Sequence, residues 1–273
     1  MDTEAFHRLC HSSDDYTWIE QKNSQIINGN VTFTEIDAMN NLENLDCVKI
    51  YGLKQEAFDY FVRTQGHKSR AIMFWKNKLV EDWSSLSTLK NVEFIGFFHN
   101  QRITELWDMQ ENQSSKGLYI SDFTRLHSLE GIQFAPSLER VFFGDAVWPT
   151  SALDNLSSLE RHPTLKEFTF SGKGIKEEDL SIYTTIPHLE VLDFSPKLYT
   201  TEQLAWLTAM LPNVKGYALR PYIQLQNSYG EKDVLICGKR KPSLSSEKDQ
   251  LKIQKYGTKF QELVQKVGNE EFI

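Results

Sequence analysis

Leu165-Lys166-Glu167-Phe168-Thr169-Phe170 is answered 24 residues further on by Leu189-Glu190-Val191-Leu192-Asp193-Phe194. Both hexamers place apolar residues first, fourth and sixth. A proline stands two residues before each, Pro163 and Pro187. The same pattern recurs at Leu45-x-x-Val48-x-Ile50, Leu89-x-x-Val92-x-Phe94, Leu138-x-x-Val141-x-Phe143 and Val214-x-x-Tyr217-x-Leu219. Two further copies begin with serine, Ser69-x-x-Ile72-x-Phe74 and Ser115-x-x-Leu118-x-Ile120. The starting positions 45, 69, 89, 115, 138, 165, 189 and 214 are separated by 24, 20, 26, 23, 27, 24 and 25 residues. A period in that range is the mark of a repeat architecture.

The prolines are a second, independent marker. Pro136, Pro163, Pro187 and Pro212 all precede the first apolar position of a repeat by two residues. Proline ends a helix and biases the preceding residue toward extended backbone. Each therefore marks a turn from a returning segment into the next strand. Between strands the spacing predicts short helices. Ala57, Phe58, Phe61 and Val62 share one helical face, as do Leu153, Leu156 and Leu159, and Leu204, Leu207 and Leu211. Glu177-Glu178-Asp179 would open another, where carboxylates meet the positive end of the helix dipole. Such units cannot bury their apolar faces alone, and stacking supplies a continuous core.

On these residues, Leu42 to Arg220 resembles the leucine-rich-repeat family. The resemblance implies an α/β solenoid, a horseshoe with a parallel concave sheet, about eight repeats and a helical convex side. The family's asparagine or cysteine after the strand is not evident at Tyr51-Gly52, Gly144-Asp145, Ser171-Gly172 or Ser195-Pro196, so irregular turns are expected. Leu129-x-x-Ile132-x-Phe134 starts only nine residues before Leu138, which points to a distorted or inserted turn at 121–138.

Terminal caps complete the expected layout: residues 1–41, repeats over 42–222, and residues 223–273. In the first cap, Ala5, Phe6 and Leu9 suggest a helix, and Tyr16–Ile19 and Val31–Phe33 suggest strands. In the second, Asp233–Cys237 reads as a strand, Gly238-Lys239-Arg240-Lys241-Pro242 as a basic turn, and Ser245 or Ser246 as the cap of a helix reaching about Val267. That helix carries Ile253, Tyr256, Phe260, Leu263, Val264 and Val267 on one face. The strand, basic turn and helix resemble the tail of uncharacterised bacterial cytosolic leucine-rich-repeat proteins.

Composition narrows the function. The 273 residues are 40% hydrophobic and 25% charged, as in ordinary globular proteins, and amount to one or two domains. The longest apolar run, Ala71–Trp75, is far short of the ~20 residues of a membrane span. The acidic Met1-Asp2-Thr3-Glu4 start lacks the features of a secretory signal. Three dispersed cysteines argue against a disulfide framework, so a cytoplasmic setting is expected and the Asn-x-Ser/Thr triplets at Asn30, Asn112 and Asn155 read as chance. A net charge of −7 opposes nucleic-acid binding and suits a neutral or basic partner.

No metal, phosphate-loop or nucleophile motif stands out. The seven histidines are scattered, Cys47 and Cys237 fall within strand patterns, and Lys239-Arg240-Lys241 reads as a solvated turn. The expectation is therefore no enzyme and no cofactor. Strand alternation turns the intervening positions out of the core. On this register one column reads Lys49, Met73, Glu93, Tyr119, Phe142, Thr169, Asp193 and Ala218. The next reads Tyr51, Trp75, Ile95, Ser121, Gly144, Ser171, Ser195 and Arg220. Tyr51, Met73, Trp75, Ile95, Tyr119 and Phe142 form an apolar stripe, with Lys49, Glu93 and Asp193 as charges beside it. Eight strands span roughly 34 Å, wide enough for a standard interface.

These features predict a monomeric scaffold that grips another protein on its concave face. An inhibitor or immunity protein against a toxin enzyme is one form of this. A substrate-recognition adaptor of ubiquitin-ligase type is the alternative. A cover formed by the chain's own loops or amino-terminal segment is the competing fate of the stripe.

Overall fold

The structure, a computed structural model, describes residues 1–22, 29–146, 149–225 and 231–269. Parts of both expected caps, residues 23–28, 226–230 and 270–273, lie outside the described residues. The fold is α/β. One large sheet contains β1 (Thr17–Ile19), β2 (Cys47–Tyr51), β3 (Ala71–Trp75), β4 (Phe94–Asn100), β5 (Gly117–Phe123), β6 (Arg140–Gly144), β8 (Glu167–Ser171) and β10 (Val191–Phe194), hydrogen-bonded in that order. Its described pairings are all parallel. Two short strands, β7 (Ala152–Leu153) and β9 (Gly174–Ile175), pair separately. The chain divides into two compact units, Met1–Lys166 with Ser171–His188, and Glu167–Phe170 with Leu189–Ile273.

In the first unit, register corrects the sequence reading at one repeat. Ala71 pairs with Phe94, Ile72 with Ile95, Met73 with Gly96 and Trp75 with Phe98. The working copy of the pattern is therefore Val92-x-x-Ile95-x-Phe97, three residues later than Leu89-x-x-Val92-x-Phe94. Intervals of 20 and 26 residues become 23 and 23, and Lys49, Met73, Gly96, Tyr119 and Phe142 line up across five strands. Leu89 and Val92 are both fully buried before the strand begins, which is why the earlier frame looked equally apolar.

The shift also uncovers asparagines. Asn77 and Asn100 follow the third apolar position of their repeats at the same distance, and both are buried. The Asn77 Oδ1 accepts from the Leu53 N–H at 2.5 Å. The Asn100 amide donates to the Asn77 and Val80 carbonyls at 2.7 and 2.8 Å, and its Oδ1 accepts from Arg102 and Ile103 N–H. The turns after β3 and β4 are thus ordered by side chains that satisfy backbone groups. One position earlier, Gly52, Lys76, His99 and Asp122 all take left-handed φ values of 54–66° at equivalent places in four successive repeats.

One face of this part of the sheet forms a core with Val48, Ile50, Ile72, Phe74, Ile95, Phe97, Leu118 and Ile120, all buried. Helix α3 (Gln55–Thr64) contributes the expected face of Ala57, Phe58, Phe61 and Val62. Three local expectations change. Val31–Phe33 is not a strand: Thr32 and Glu35 form a capping box that starts helix α2 (Phe33–Ala38). Leu153, Leu156 and Leu159 are buried but share no α-helix: Leu153 ends β7, Leu156 stands just before a 3-10 turn (Ser157–Leu159) and Leu159 ends it. Glu177-Glu178-Asp179 precedes helix α4 (Ser181–Thr185) as a turn, with the Asp179 carboxylate accepting from the Ser181 N–H at 3.0 Å. The irregular stretch before Leu138 holds a 3-10 turn (Ile132–Phe134) after Gly131, whose φ of 114° and 2.8 Å clearance from the Trp107 carbonyl admit no side chain.

In the second unit, Val214-x-x-Tyr217-x-Leu219 forms no strand. A single bridge joins Lys215 to Val191, and Tyr217 is exposed. A β-carbon on Gly216 would stand 2.5 Å from the Leu192 carbonyl, so the chain passes close and turns away. Helix α5 (Thr201–Met210) follows a Thr200–Gln203 capping box and buries Leu204 and Leu207. The antiparallel strands β11 (Tyr222–Gln224), β12 (Val234–Ile236) and β13 (Ser243–Leu244) then lead to helix α6 (Gln250–Asn269), which packs on α5 and buries Phe260. Of the two serines expected at this cap, Ser246 donates its N–H and hydroxyl to Asp233, whereas the Ser245 hydroxyl accepts from the Lys248 N–H at 3.3 Å in the turn that leads into α6, and Asp249 stands directly before the helix.

Candidate functional site

The sheet face opposite the core of the first unit presents three rows. Alternation places Cys47, Ala71, Phe94, Gly117 and Arg140 in the first, and Lys49, Met73, Gly96, Tyr119 and Phe142 in the second. Tyr51, Trp75, Phe98, Ser121 and Gly144 make the third. The first two rows are covered. Helix α1 (Thr3–His11), capped by the Asp2 carboxylate on the Ala5 N–H, lays Phe6, Leu9 and Cys10 into a cluster with Tyr16, Cys47, Ala71, Met73, Phe94 and Tyr119. The fit depends on glycine: a β-carbon on Gly117 would meet the Phe6 and Phe94 rings at 2.9 and 3.0 Å. Gly96 likewise leaves room for Met73, whose Cε would lie 2.8 Å from a β-carbon there.

Polar contacts hold the helix at both ends. The Arg140 guanidinium donates to the Met1 carbonyl and, at 3.3 Å, to the Thr3 hydroxyl. The Tyr16 hydroxyl donates to the Leu9 carbonyl at 2.6 Å. His11 sets its ring edge-on to Tyr119 and Phe142 at 6.0 and 6.2 Å. Burial, and then the charge of His7, lowers the His11 pKa.

The predicted stripe therefore separates into different fates. Met73 and Tyr119 are core residues beneath α1, not a vacant surface. Ile95 belongs to the opposite, fully buried face. Glu93 lies just before β4, beside Val92 at the start of the corrected pattern, where it meets Lys116 at 3.4 Å. Asp193 is in the second unit and accepts from the Tyr217 N–H at 2.6 Å. Phe142 is half-buried and stacks on Tyr119 at 4.8 Å. Tyr51 and Trp75 remain half-buried in the third row, joined by Phe98, which the displaced register concealed.

Lys49 is the centre of this region. Only 3% exposed, it holds its Nζ 3.6 Å from the centre of the Trp75 ring, 4.5 Å from Trp18 and 6.0 Å from Tyr16. Burial pushes its pKa down to about 8. Phe98 stacks on Trp75 at 4.0 Å, and the Lys76 ammonium lies 5.7 Å from the Tyr51 ring. Trp18 is 41% exposed and donates its indole N–H to the Ser13 carbonyl at 3.1 Å.

Of these rings, Trp75 is met both by the Lys49 ammonium and by the Phe98 ring. Among the described residues, no group of three or more histidine, cysteine or acidic side chains is placed to hold a metal ion. No described helix is long and apolar enough to cross a membrane. No protein-family model matches the chain, and no curated protein matches it.

Proposed function

We propose that this chain is a non-enzymatic protein-binding scaffold of leucine-rich-repeat type, and that its partner docks on the third row of the first unit, at Tyr51, Trp75 and Phe98. The repeat reading is supported by the 23–24-residue spacing of the first five paired positions, by the Asn77 and Asn100 rungs, and by the left-handed residue at one equivalent position of four successive repeats. The binding reading is supported by one observation above all. Three rings on adjacent strands stay half-buried beside a helix that has already filled the rest of the same face. A surface that accommodates α1 through aromatic rings and glycine gaps has the chemistry to accommodate a second polypeptide segment.

Charge selects the partner. The whole chain carries −7, but Lys76 and Lys78 flank His99 at this end of the strands, opposed by Asp122. The local balance favours an acidic segment, against the basic partner that net charge alone suggests. Displayed libraries of acidic and of basic peptides provide the test. Acidic sequences should be enriched, with binding lost in Trp75→Ala and Phe98→Ala and weakened at least tenfold, about 1.4 kcal/mol, in Lys76→Glu. Enrichment of basic sequences, or equal binding by folded variants, would refute the assignment.

A further inference from the structure

We propose that the first unit carries a second docking surface, an acidic cleft on the core side of the sheet that receives an arginine-bearing basic segment of a partner protein. The cleft, of about 440 Å³, opens between residues 104–108, which follow β4, and residues 128–134, which follow β5. That volume lies within the ~300–1,000 Å³ of ligand-binding clefts. Its apolar lining is Leu106, Trp107 and Phe134. Trp107 is buried and sets its ring edge-on to Phe97 at 6.0 Å and to Trp83 at 5.8 Å, which places the cleft on the face away from α1. Phe134 is 57% exposed, the most exposed phenylalanine, tyrosine or tryptophan among the described residues.

Charge names the occupant. Glu105, Asp108 and Glu130 stand on the lining, and no lysine, arginine or histidine does. Other acids of this unit are already paired, Glu81 with Arg102 and Glu111 with Lys90, both at 3.0 Å. Among the described residues, neither the Glu105 nor the Glu130 carboxylate has an ion-pair or hydrogen-bond partner, and Asp108 accepts from the Gln110 N–H at 2.9 Å. A guanidinium answers both halves of the cleft, because its planar fork pairs with carboxylates and its face stacks on an aromatic ring. The walls are already set, which keeps the ordering cost of binding low. The Gly131 backbone closes on the Trp107 carbonyl with no space for a side chain. The Trp107 indole N–H donates to the Asn112 Oδ1 at 2.8 Å, and the Asn112 amide donates to the Leu86 and Leu89 carbonyls at 2.8 and 3.1 Å. Face, charge and partner all differ from those of the third row, so the two surfaces stand or fall separately.

The test reads fluorescence anisotropy as the full chain is titrated into three labelled decapeptides, in which leucine alternates with arginine, lysine or glutamate. The arginine peptide should bind, the lysine peptide at least about threefold more weakly, and the glutamate peptide not at all. Phe134→Ser, and the double variant Glu105→Gln with Glu130→Gln, should each weaken the arginine peptide at least about fivefold. These side chains are exposed, so the variants should keep the wild-type melting temperature. Phe98→Ala, which belongs to the third row, should leave binding unchanged. So should Glu56→Gln with Glu177→Gln, two exposed glutamates outside the cleft. Full binding by the cleft variants, or an equal loss in the Glu56 and Glu177 pair, would overturn the assignment by reducing it to net charge. Displacement of the peptide by an equal concentration of argininamide would give the cleft to a small cation instead. A dimer that Phe134→Ser dissolves would give it to a second copy of this chain.

Discussion

Phe6 of the amino-terminal helix rests on Gly117 of the sheet, so closely that a β-carbon at residue 117 would stand 2.9 Å from its ring. This contact decides which part of the sheet face is available to anything else. Gly117→Leu should displace α1 rather than be absorbed, since rings of Phe6 and Phe94 close the space from two sides. Overpacking of this kind costs about 1–3 kcal/mol. Urea unfolding should report that loss, and limited proteolysis should show cleavage near Ser12–Asp15 that the wild type resists. Wild-type protection in the variant would mean that α1 is held by other contacts.

The Asn100 side chain makes four hydrogen bonds, two from its amide and two to its carbonyl oxygen. Asn100→Ala leaves the Asn77 and Val80 carbonyls and the Arg102 and Ile103 N–H groups without that partner in a buried turn. A cost of about 2–4 kcal/mol follows from stranding several such groups. Asn100→Leu should do no better, because volume is not what is missing. A loss under about 1 kcal/mol in equilibrium unfolding would show that the turn finds other partners.

Left-handed backbone gives a prediction of opposite sign. Arg161 adopts φ 53° with its side chain largely in solvent, its ion pair being with Glu160 at 3.8 Å. A left-handed conformation costs a non-glycine residue about 1–2 kcal/mol, and glycine pays more entropy on folding. Arg161→Gly should therefore be neutral to stabilising by up to about 1 kcal/mol, whereas Gly52→Ala, at φ 66°, should destabilise. Paired melting curves check both, and a destabilising Arg161→Gly would reverse the argument.

The strands were legible because buried apolar residues repeat at a fixed interval, and six of the eight expected copies lead into strands as framed. The frame failed at Leu89 because Leu-Lys-Asn-Val-Glu-Phe-Ile-Gly-Phe fits two registers, each with buried residues at all three positions. Asn100 would have settled it, since only the later frame places it in step with Asn77. The cover over the sheet was harder to foresee. Amphipathic α1 advertises a buried face but not its destination. The glycines at 96 and 117 were the signal, because a glycine inside a strand marks a close approach. Read in the wrong frame, Gly96 was not in the column at all. The partial exposure of Tyr51, Trp75 and Phe98 depends on where α1 stops, a tertiary fact without a local sequence signature.

Lys49 makes the state of that face depend on pH, with a definite sign. Its folded pKa of about 8 lies below the roughly 10.4 of an unfolded lysine, so between those values the unfolded chain binds the extra proton. Stability must then rise with pH through that window. Below pH 8 the residue is protonated in both states and the full penalty of the buried charge is present; above about pH 10.4 it is gone. Two and a half pKa steps bound the penalty at about 3 kcal/mol, and cation–π attraction from Trp75 and Trp18 offsets part of it. Lys49→Met removes this titration while other groups continue to titrate. Urea midpoints of wild type and variant, measured from pH 7 to 10, should converge as the wild type gains on the variant. Parallel curves would mean that Lys49 keeps an ordinary pKa in the folded chain. A wild type that loses ground as pH rises would mean that an unrecognised anion holds its proton.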